Sequence, residues 1–466
     1  MLLQSSPSTE PETERTQSAL HALAHQLDER GIDHAFCEGT LPDCTVMHNL
    51  DHVMPRMVIW PTTTLEVQFI LAAIHGNRGL DRTPKSVVSG GHGYDGEAMC
   101  VGIAIDMQRM NACTMENHAL HVESGCGLRK VIDVLHRHGR VIPHGDSLTV
   151  GAGGHFVSAG WDLVLSRRFG LGCRHVLEAT IVHWDGKVET VNADSNPDLF
   201  LAVKGSFADR KGIVTSFILE THPEPAEVHL AEAILDPNRL PDDILHRVHA
   251  LPDAISTTFR FYFIGGIPQI VLVLGTLLSK EETIHIIRAA LGPWLAAHIQ
   301  AHWTCHNLQD VRFLPLEDTA RQDWDRIVSM TTEEFETVAE HYWKPSTYHR
   351  EMKVSYCQQR SFWLDINTDT DILHRILSTL RTFPQEFRQR IYGNITIGGG
   401  AIWRTRLETS MPIGQALIRF ECHSEDRMTH NGTAKEIAEA FTRLTTPNWD
   451  IPLWGQVYSG DMFQQD

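Results

Sequence analysis

The chain has 466 residues, 42% hydrophobic and 21% charged, a balance that suits a globular protein with two or three cored domains. Its 58 acidic against 40 basic side chains leave a net charge of −18, which argues against nucleic acid or an anionic membrane surface as a partner. No run of about 18 apolar residues occurs, so no membrane span is expected.

The stretch Met1–Thr16 is polar and carries two prolines, so it reads as a disordered tail without a secretory signal. Nine cysteines are scattered without a CxxC pair, which excludes a disulfide scaffold and a cysteine zinc site and favours a reducing cytoplasm. Helical periodicity from Ser18 stops at Gly31, and tail and helix together occupy residues 1–49. His21 and His25 have i,i+4 spacing on that helix but no third ligand nearby, so no metal is expected.

From Met57 the pattern alternates. Strands are expected at Met57–Pro61, Ser86–Ser89, Gly102–Asp106 and Ala119–Ser124, with helices at Thr64–Gly76 and Leu128–His138. Ala179–Trp184 and Val188–Val191 form a hairpin around Asp185-Gly186, Pro197–Gly205 a short helix, and Ile213–Thr221 a closing strand. These elements make an α+β domain over residues 50–225 that ends at Pro223-Glu224-Pro225. Beyond it, strands at Ser256–Ile264, Gln269–Leu274, Asn394–Ile397 and Gln415–His423 alternate with helices near 280–291 and 370–389. That pattern predicts a second domain, residues 226–430, built as one antiparallel sheet covered by helices. Residues 431–466 are expected to return towards the first domain.

Two glycine clusters carry the chemistry. Val88-Ser89-Gly90-Gly91-His92-Gly93, with Gly96 following, places four backbone-permissive residues and an imidazole directly after a strand, as a phosphate-bearing ligand would require. Gly145, Ser147, Val150, Gly151, Gly153 and Gly154 follow in a second cluster, whose backbone can lie flat against a planar ring. Neither cluster fits GxGxxG or GxxxxGK[ST], so a Rossmann dehydrogenase and a P-loop NTPase are disfavoured.

With Asp198-Leu-Phe-Leu-Ala-Val-Lys-Gly205 and Gly212-Ile213-Val214-Thr215, these motifs resemble the FAD-linked oxidases of the vanillyl-alcohol oxidase/PCMH superfamily, berberine-bridge-enzyme-like branch. The resemblance implies a PCMH-type FAD-binding domain, with Ser89, Gly90, Gly91, His92 and Gly93 around the pyrophosphate and a covalent flavin bond through His92. It implies that Gly145, Ser147, Val150, Gly151, Gly153 and Gly154 line the isoalloxazine and ribityl chain. Gly212, Ile213 and Val214 would meet the adenine side. Phe156–Asp162 adds bulk where relatives continue with glycines. The implied activity is oxidation of a small organic substrate (an alcohol, an amine or a specialised-metabolite intermediate), with hydride passing to flavin N5 and O2 as reoxidant. Alternatives are a non-redox cyclisation or rearrangement, and an FAD-containing binding protein. For the proton-accepting group the candidates are Tyr458, by a loose match to the C-terminal segment of relatives, and Glu421 or His423, which share a strand face with Arg419. Gly398–Ile402 resembles a segment that roofs the flavin.

Overall fold

The computed structural model describes residues 12–37, 54–93, 100–145, 147–205, 211–313, 316–344, 356–367, 369–411 and 413–444. Helix α1 (Glu12–Asp28) starts earlier than expected, inside the stretch read as a tail. It packs through Leu20, Leu23 and Leu27 on a four-stranded sheet of β1 (Asp33–Phe36), β2 (Met57–Trp60), β3 (Lys85–Val88) and β4 (Ile103–Asp106). The order is β1-β2-β4-β3, with β4 parallel to both β2 and β3. Every residue of β2 is buried, as the parallel, doubly covered arrangement demands. Helix α2 (Thr64–His75) is opened by Thr63, whose side chain accepts from the Glu66 amide at 3.2 Å.

A second sheet, all antiparallel, has the order β5-β6-β10-β8-β9. Its strands are β5 (Cys113–Glu116), β6 (Ala119–Glu123), β8 (Val176–His183), β9 (Val188–Asn192) and β10 (Gly212–Glu220). Helix α3 (Leu128–Arg137) covers it and shares its core. A two-residue pairing of β7 (Arg140–Val141) with β11 (His222–Pro223) finishes this part of the chain. The resulting mixed helix-and-sheet class is the α+β one expected.

From Val228 the chain builds a seven-stranded antiparallel sheet of order β15-β12-β14-β13-β17-β18-β16. The strands are β12 (Val228–Leu235), β13 (Ile255–Ile264), β14 (Ile267–Thr276), β15 (Trp303–His306), β16 (Tyr356–Leu364), β17 (Ile391–Ile397) and β18 (Ala416–Ser424). Gly265 and Gly266, at φ +57° and +77°, make the tight turn between β13 and β14. One face carries Phe259, Phe261, Ile395, Ile418 and Phe420 into a core closed by helices Lys280–Leu291, Pro293–Ala301 and Ile372–Thr382. Helix Lys435–Thr442 joins that same core through Ile437, Ala438 and Phe441. The described part of the C-terminal segment therefore stays with the large sheet instead of returning to the first domain. Its apolar stripe finds a partner where the sheet's own apolar face is still open.

Residues 308–343 behave differently from the rest of the second region. Their helices pack Trp324, Phe335, Tyr342 and Trp343 against Ile132 of α3 and Leu148 of the second glycine cluster. Arg129 donates to the Met330 carbonyl at 2.6 Å and Trp324 Nε1 to Asp133 at 3.1 Å, which fixes the two parts together.

Candidate functional site: two interlocked glycine loops under a polar sheet face

The first glycine loop leaves the C-terminal end of β3, the end at which parallel strands present ligands. It packs directly on the second loop. A Cβ on Gly90 would stand 2.2 Å from the Gly151 nitrogen and 2.5 Å from the Thr149 carbonyl oxygen. A Cβ on Gly151 would stand 2.0 Å from Ser89 Oγ and 2.4 Å from the Gly90 nitrogen. Only glycine permits this approach at either position. Ser89 stitches the layers, because its hydroxyl donates to the Ser124 carbonyl and accepts from the Gly153 amide at 3.2 Å. Ser124 in turn donates its amide to the Thr215 carbonyl at 3.0 Å, so the Gly212–Thr215 end of β10 belongs to the same framework. Within it Gly212, Ile213 and Val214 are buried ladder residues paired with His183, Val182 and Ile181.

The loops leave specific openings. The amides of buried Gly90 and Gly91 have no hydrogen-bond partner among the described residues, and Gly91 has φ +68°. Buried donors without a partner are what a phosphate satisfies. Gly154 is exposed and a Cβ there would meet nothing within 4 Å, so the loop presents a flat, open backbone at that point. Gly145 is nearly as open, with only His155 Cε1 at 3.4 Å. His92 is half-buried between the loops, its Nε2 2.7 Å from Thr149 Oγ1. The residues thus fit an FAD: amides for the pyrophosphate, an open backbone face for the ring, an imidazole between them.

Behind the second loop lies a polar cluster that sequence reasoning missed. Asp162 is buried, accepts from the Val164 and Leu165 amides at 2.7 Å each, and pairs with Arg312 from the 308–343 helices. Burial alone would raise the Asp162 pKa, but Arg312 and the neighbouring hydrogen bonds hold it below the usual carboxylate range. His144 and His155 sit in the same cluster. Burial, then Arg312, pushes their pKa values down to about 3 and about 4. Both imidazoles are therefore neutral. His155 Nε2 accepts the Gly145 amide at 3.1 Å, and His144 Nδ1 donates to the Gly145 carbonyl at 2.7 Å. The bulk at 156–162 is thus a brace for the loop. Its signal in the sequence was an acid inside an apolar stretch, with a partner 150 residues away.

The large sheet turns its other face to these loops. Trp363 of β16 meets Trp161 with ring centroids 6.3 Å apart, and Ser256 of β13 donates to the Val164 carbonyl at 3.2 Å. On the face that Trp363 shares, register sets Ser361 opposite Arg419, Gln359 opposite Glu421 and Cys357 opposite His423. Glu421 and His423 are buried, with His423 Nε2 3.1 Å from Glu421 Oε2 and Arg419 in contact with Oε1. A Cys357 sulfur, a Glu421 oxygen and a His423 nitrogen all lie within 4.8 Å of one another. The expected grouping of Arg419, Glu421 and His423 on one strand face is realised. Tyr458 lies outside the described residues.

Gly398–Ile402 is not a roof strand. β17 ends at Ile397, Gly399 and Gly400 adopt φ +89° and +53°, and a short helix follows at Gly400–Arg404. These glycines make room for buried Arg167, which donates to the carbonyls of Gly398, His249 and Leu251 and bolts the two regions together. His21 and His25 are exposed on α1, beside Gln17 and Glu29.

Residues 55–192 match a family model described as an FAD binding domain. The FAD-linked oxidoreductase sorD of Penicillium rubens is 31% identical over 176 residues, 37% of this chain and 36% of its own length. The berberine bridge enzyme-like Cyn d 4 of Cynodon dactylon is 28% identical over 246 residues, 48% of this chain and 46% of its own. The chain thus matches less than half the length of these curated relatives. Among solved structures, wild-type BBE-like 1 of Physcomitrella patens superposes with a TM-score of 0.71 at 18% identity, covering 91% of this chain and 88% of that one. The matched domain, the interlocked glycine loops and the superposed fold agree: residues 55–192 match an FAD-binding domain, and the chain shares the fold of a berberine-bridge-enzyme-like protein.

Proposed function

We propose that the protein is an FAD-dependent oxidase of a small organic substrate, an alcohol, an amine or an intermediate of specialised metabolism, with the flavin bonded through His92. Bound FAD supplies an acceptor for the substrate's hydride and returns the electron pair to O2 as hydrogen peroxide. The chain's own residues do the rest. Ser89 and the glycine amides hold the pyrophosphate, and Thr149 orients the His92 ring through its 2.7 Å contact. Glu421 takes the proton from the substrate hydroxyl or amine as the C–H bond breaks. Arg419 keeps the Glu421 carboxylate charged until then, and His423 fixes its second oxygen.

The observation that carries this reading is the Arg419–Glu421–His423 row, with Glu421 and His423 buried and Arg419 partly exposed, on the sheet face that abuts the FAD-binding domain. An unreacting wall has no need of a buried carboxylate, which is costly to keep dry. Seven thiols without a disulfide among the described cysteines support a reducing compartment, the cytoplasm. The test is anaerobic bleaching of the flavin across a panel of alcohols, amines and sugars, followed by peroxide release in air. Glu421→Gln keeps full flavin content and slows bleaching roughly 10²–10⁴-fold, the range of a lost general base. Unchanged bleaching in that variant removes Glu421 from the role.

A further inference from the structure

We propose a second site unrelated to the flavin: His175, Glu220 and His222 form a binding site for one borderline divalent cation such as Zn2+. One nitrogen of each histidine and a Glu220 oxygen lie within 4.8 Å of one another, at the corner where β10 passes into β11.

The geometry is that of an organised ligand set. His175 is fully buried, and its Nδ1 donates to the Leu171 carbonyl at 2.9 Å. That bond fixes the tautomer and leaves the Nε2 lone pair directed at His222 Nε2, 2.8 Å away. A carbonyl on the far nitrogen is the usual outer-shell support of a metal-binding histidine. His222 is held by stacking on Phe169, centroids 4.2 Å apart at 12°. Metal–nitrogen bonds of about 2.0–2.1 Å place two tetrahedral ligands about 3.3 Å apart, so the pair opens by roughly 0.5 Å. His222 can make that shift because it sits in a two-residue strand pairing at the domain edge. Entry of the cation moves the His222 proton from Nε2 to Nδ1 through solvent, so no net charge change is asked of the imidazoles.

The surrounding charges leave the site available. Arg174 is 3.7 Å from Glu220 but only 2.9 Å from Glu408, which holds it when Glu220 turns to the metal. Arg140 is already committed to Thr221, donating to its hydroxyl at 2.8 Å and its carbonyl at 2.6 Å. Two histidines and a carboxylate leave a fourth position towards solvent, on the half-exposed Glu220 side. The nearest consequence is mechanical. His175 follows the turn in which the Gly172 amide donates to the Gly160 carbonyl at 2.8 Å, so a bound cation ties the end of β10 to the segment behind the second glycine loop.

The test uses the full-length flavoprotein, stripped with chelator and titrated with Zn2+ by calorimetry. One tight equivalent per chain is expected above the weak background of 28 histidines. Both His222→Asn and Glu220→Gln lie at the edge of the fold, and each weakens that equivalent at least about tenfold. His21→Ala/His25→Ala leaves it intact. X-ray absorption at the zinc edge shows only nitrogen and oxygen neighbours near 2.0–2.1 Å. Absence of a tight equivalent overturns the site, as does unchanged binding in His222→Asn. A sulfur neighbour near 2.3 Å does so too, because it transfers the ion to the Cys357 cluster.

Discussion

The two glycines Gly151 and Gly154, three residues apart, should respond to substitution in opposite ways. At Gly151 an added methyl group would lie 2.0, 2.4 and 2.6 Å from Ser89 Oγ, the Gly90 nitrogen and the Ser89 carbonyl carbon. Two of these are backbone atoms held in the ladder of loop contacts, so the strain cannot be relieved by a rotamer change. Overpacking of this kind costs about 1–3 kcal/mol, and rigid backbone on both sides puts Gly151→Ala at or above the upper end. At Gly154 the same methyl meets nothing within 4 Å and the position is helical, so Gly154→Ala is neutral or stabilising by up to ~1 kcal/mol. Gly154→Leu fills the open face and blocks the flavin ring. The assay pairs urea unfolding of the apoprotein with flavin content of the purified holoprotein. Gly151→Ala should lose stability in the apoprotein, whereas Gly154→Leu should keep stability and lose flavin. A stable Gly151→Ala apoprotein would refute the packing argument, and a fully loaded Gly154→Leu protein would refute the placement of the ring.

Three further outcomes follow from named contacts. Acid precipitation of the wild-type protein keeps the yellow colour in the pellet, and His92→Ala releases all of it to the supernatant; colour in the wild-type supernatant would remove the covalent bond. His144 and His175, buried and pushed to about 3, are neutral when folded but titrate near 6.5 when unfolded. The unfolded chain therefore binds more protons below pH ~6.5, and stability falls as pH drops from there towards 3, by on the order of a few kcal/mol per histidine. Denaturant titrations at stepped pH measure the slope, and a flat profile between pH ~6.5 and 4 would contradict the buried neutral state. Arg312→Met strands the buried Asp162 carboxylate and costs about 3–5 kcal/mol, whereas the double variant with Asp162→Asn recovers part of that loss; additivity of the two changes would show the pair to be uncoupled.

The parts of this protein that are legible in its sequence are those whose chemistry is local. A loop packed so closely that an added Cβ would come within 2.5 Å of neighbouring backbone can be written only with glycine, so the cluster around His92 announces itself. Strands with one exposed or uniformly apolar face also declare themselves, as in β2, β10 and the β13–β14 pair. Strand β16 does not. In Tyr356-Cys-Gln-Gln-Arg-Ser-Phe-Trp-Leu364 eight of nine residues are buried, polar ones included, so the period-2 contrast that marks a strand is missing. The glycines at 398–400 mislead for a related reason. Their purpose is to admit Arg167, and a residue 231 positions away leaves no mark on the local pattern. Asp162 with Arg312, and His175 with His222, are likewise partnerships that exist only after folding.

The large sheet shows where stability has been given up. One face is a continuous apolar core, and the other buries Cys357, Gln359, Ser361, Glu421 and His423 in a row. His423 Nδ1 is buried there without a hydrogen-bond partner among the described residues. An unpaired buried donor or acceptor costs about 1–3 kcal/mol, which a leucine or valine at that position would avoid. Positions that break the packing rules without compensation inside the chain are those at which a ligand supplies the compensation. Strand spacing of about 3.3 Å per residue puts Arg419, Glu421 and His423 roughly 7, 13 and 20 Å along the face from the Trp161–Trp363 seam. The row is therefore a graded wall, longer than one small proton-transfer site. Glu421 is its middle member, with a cation on one side and an imidazole on the other, and of the three it alone carries an anionic group that can accept a proton. His423, at the far end, acts as a positioning residue through Glu421, and its replacement should move the pH profile of substrate oxidation more than the flavin content.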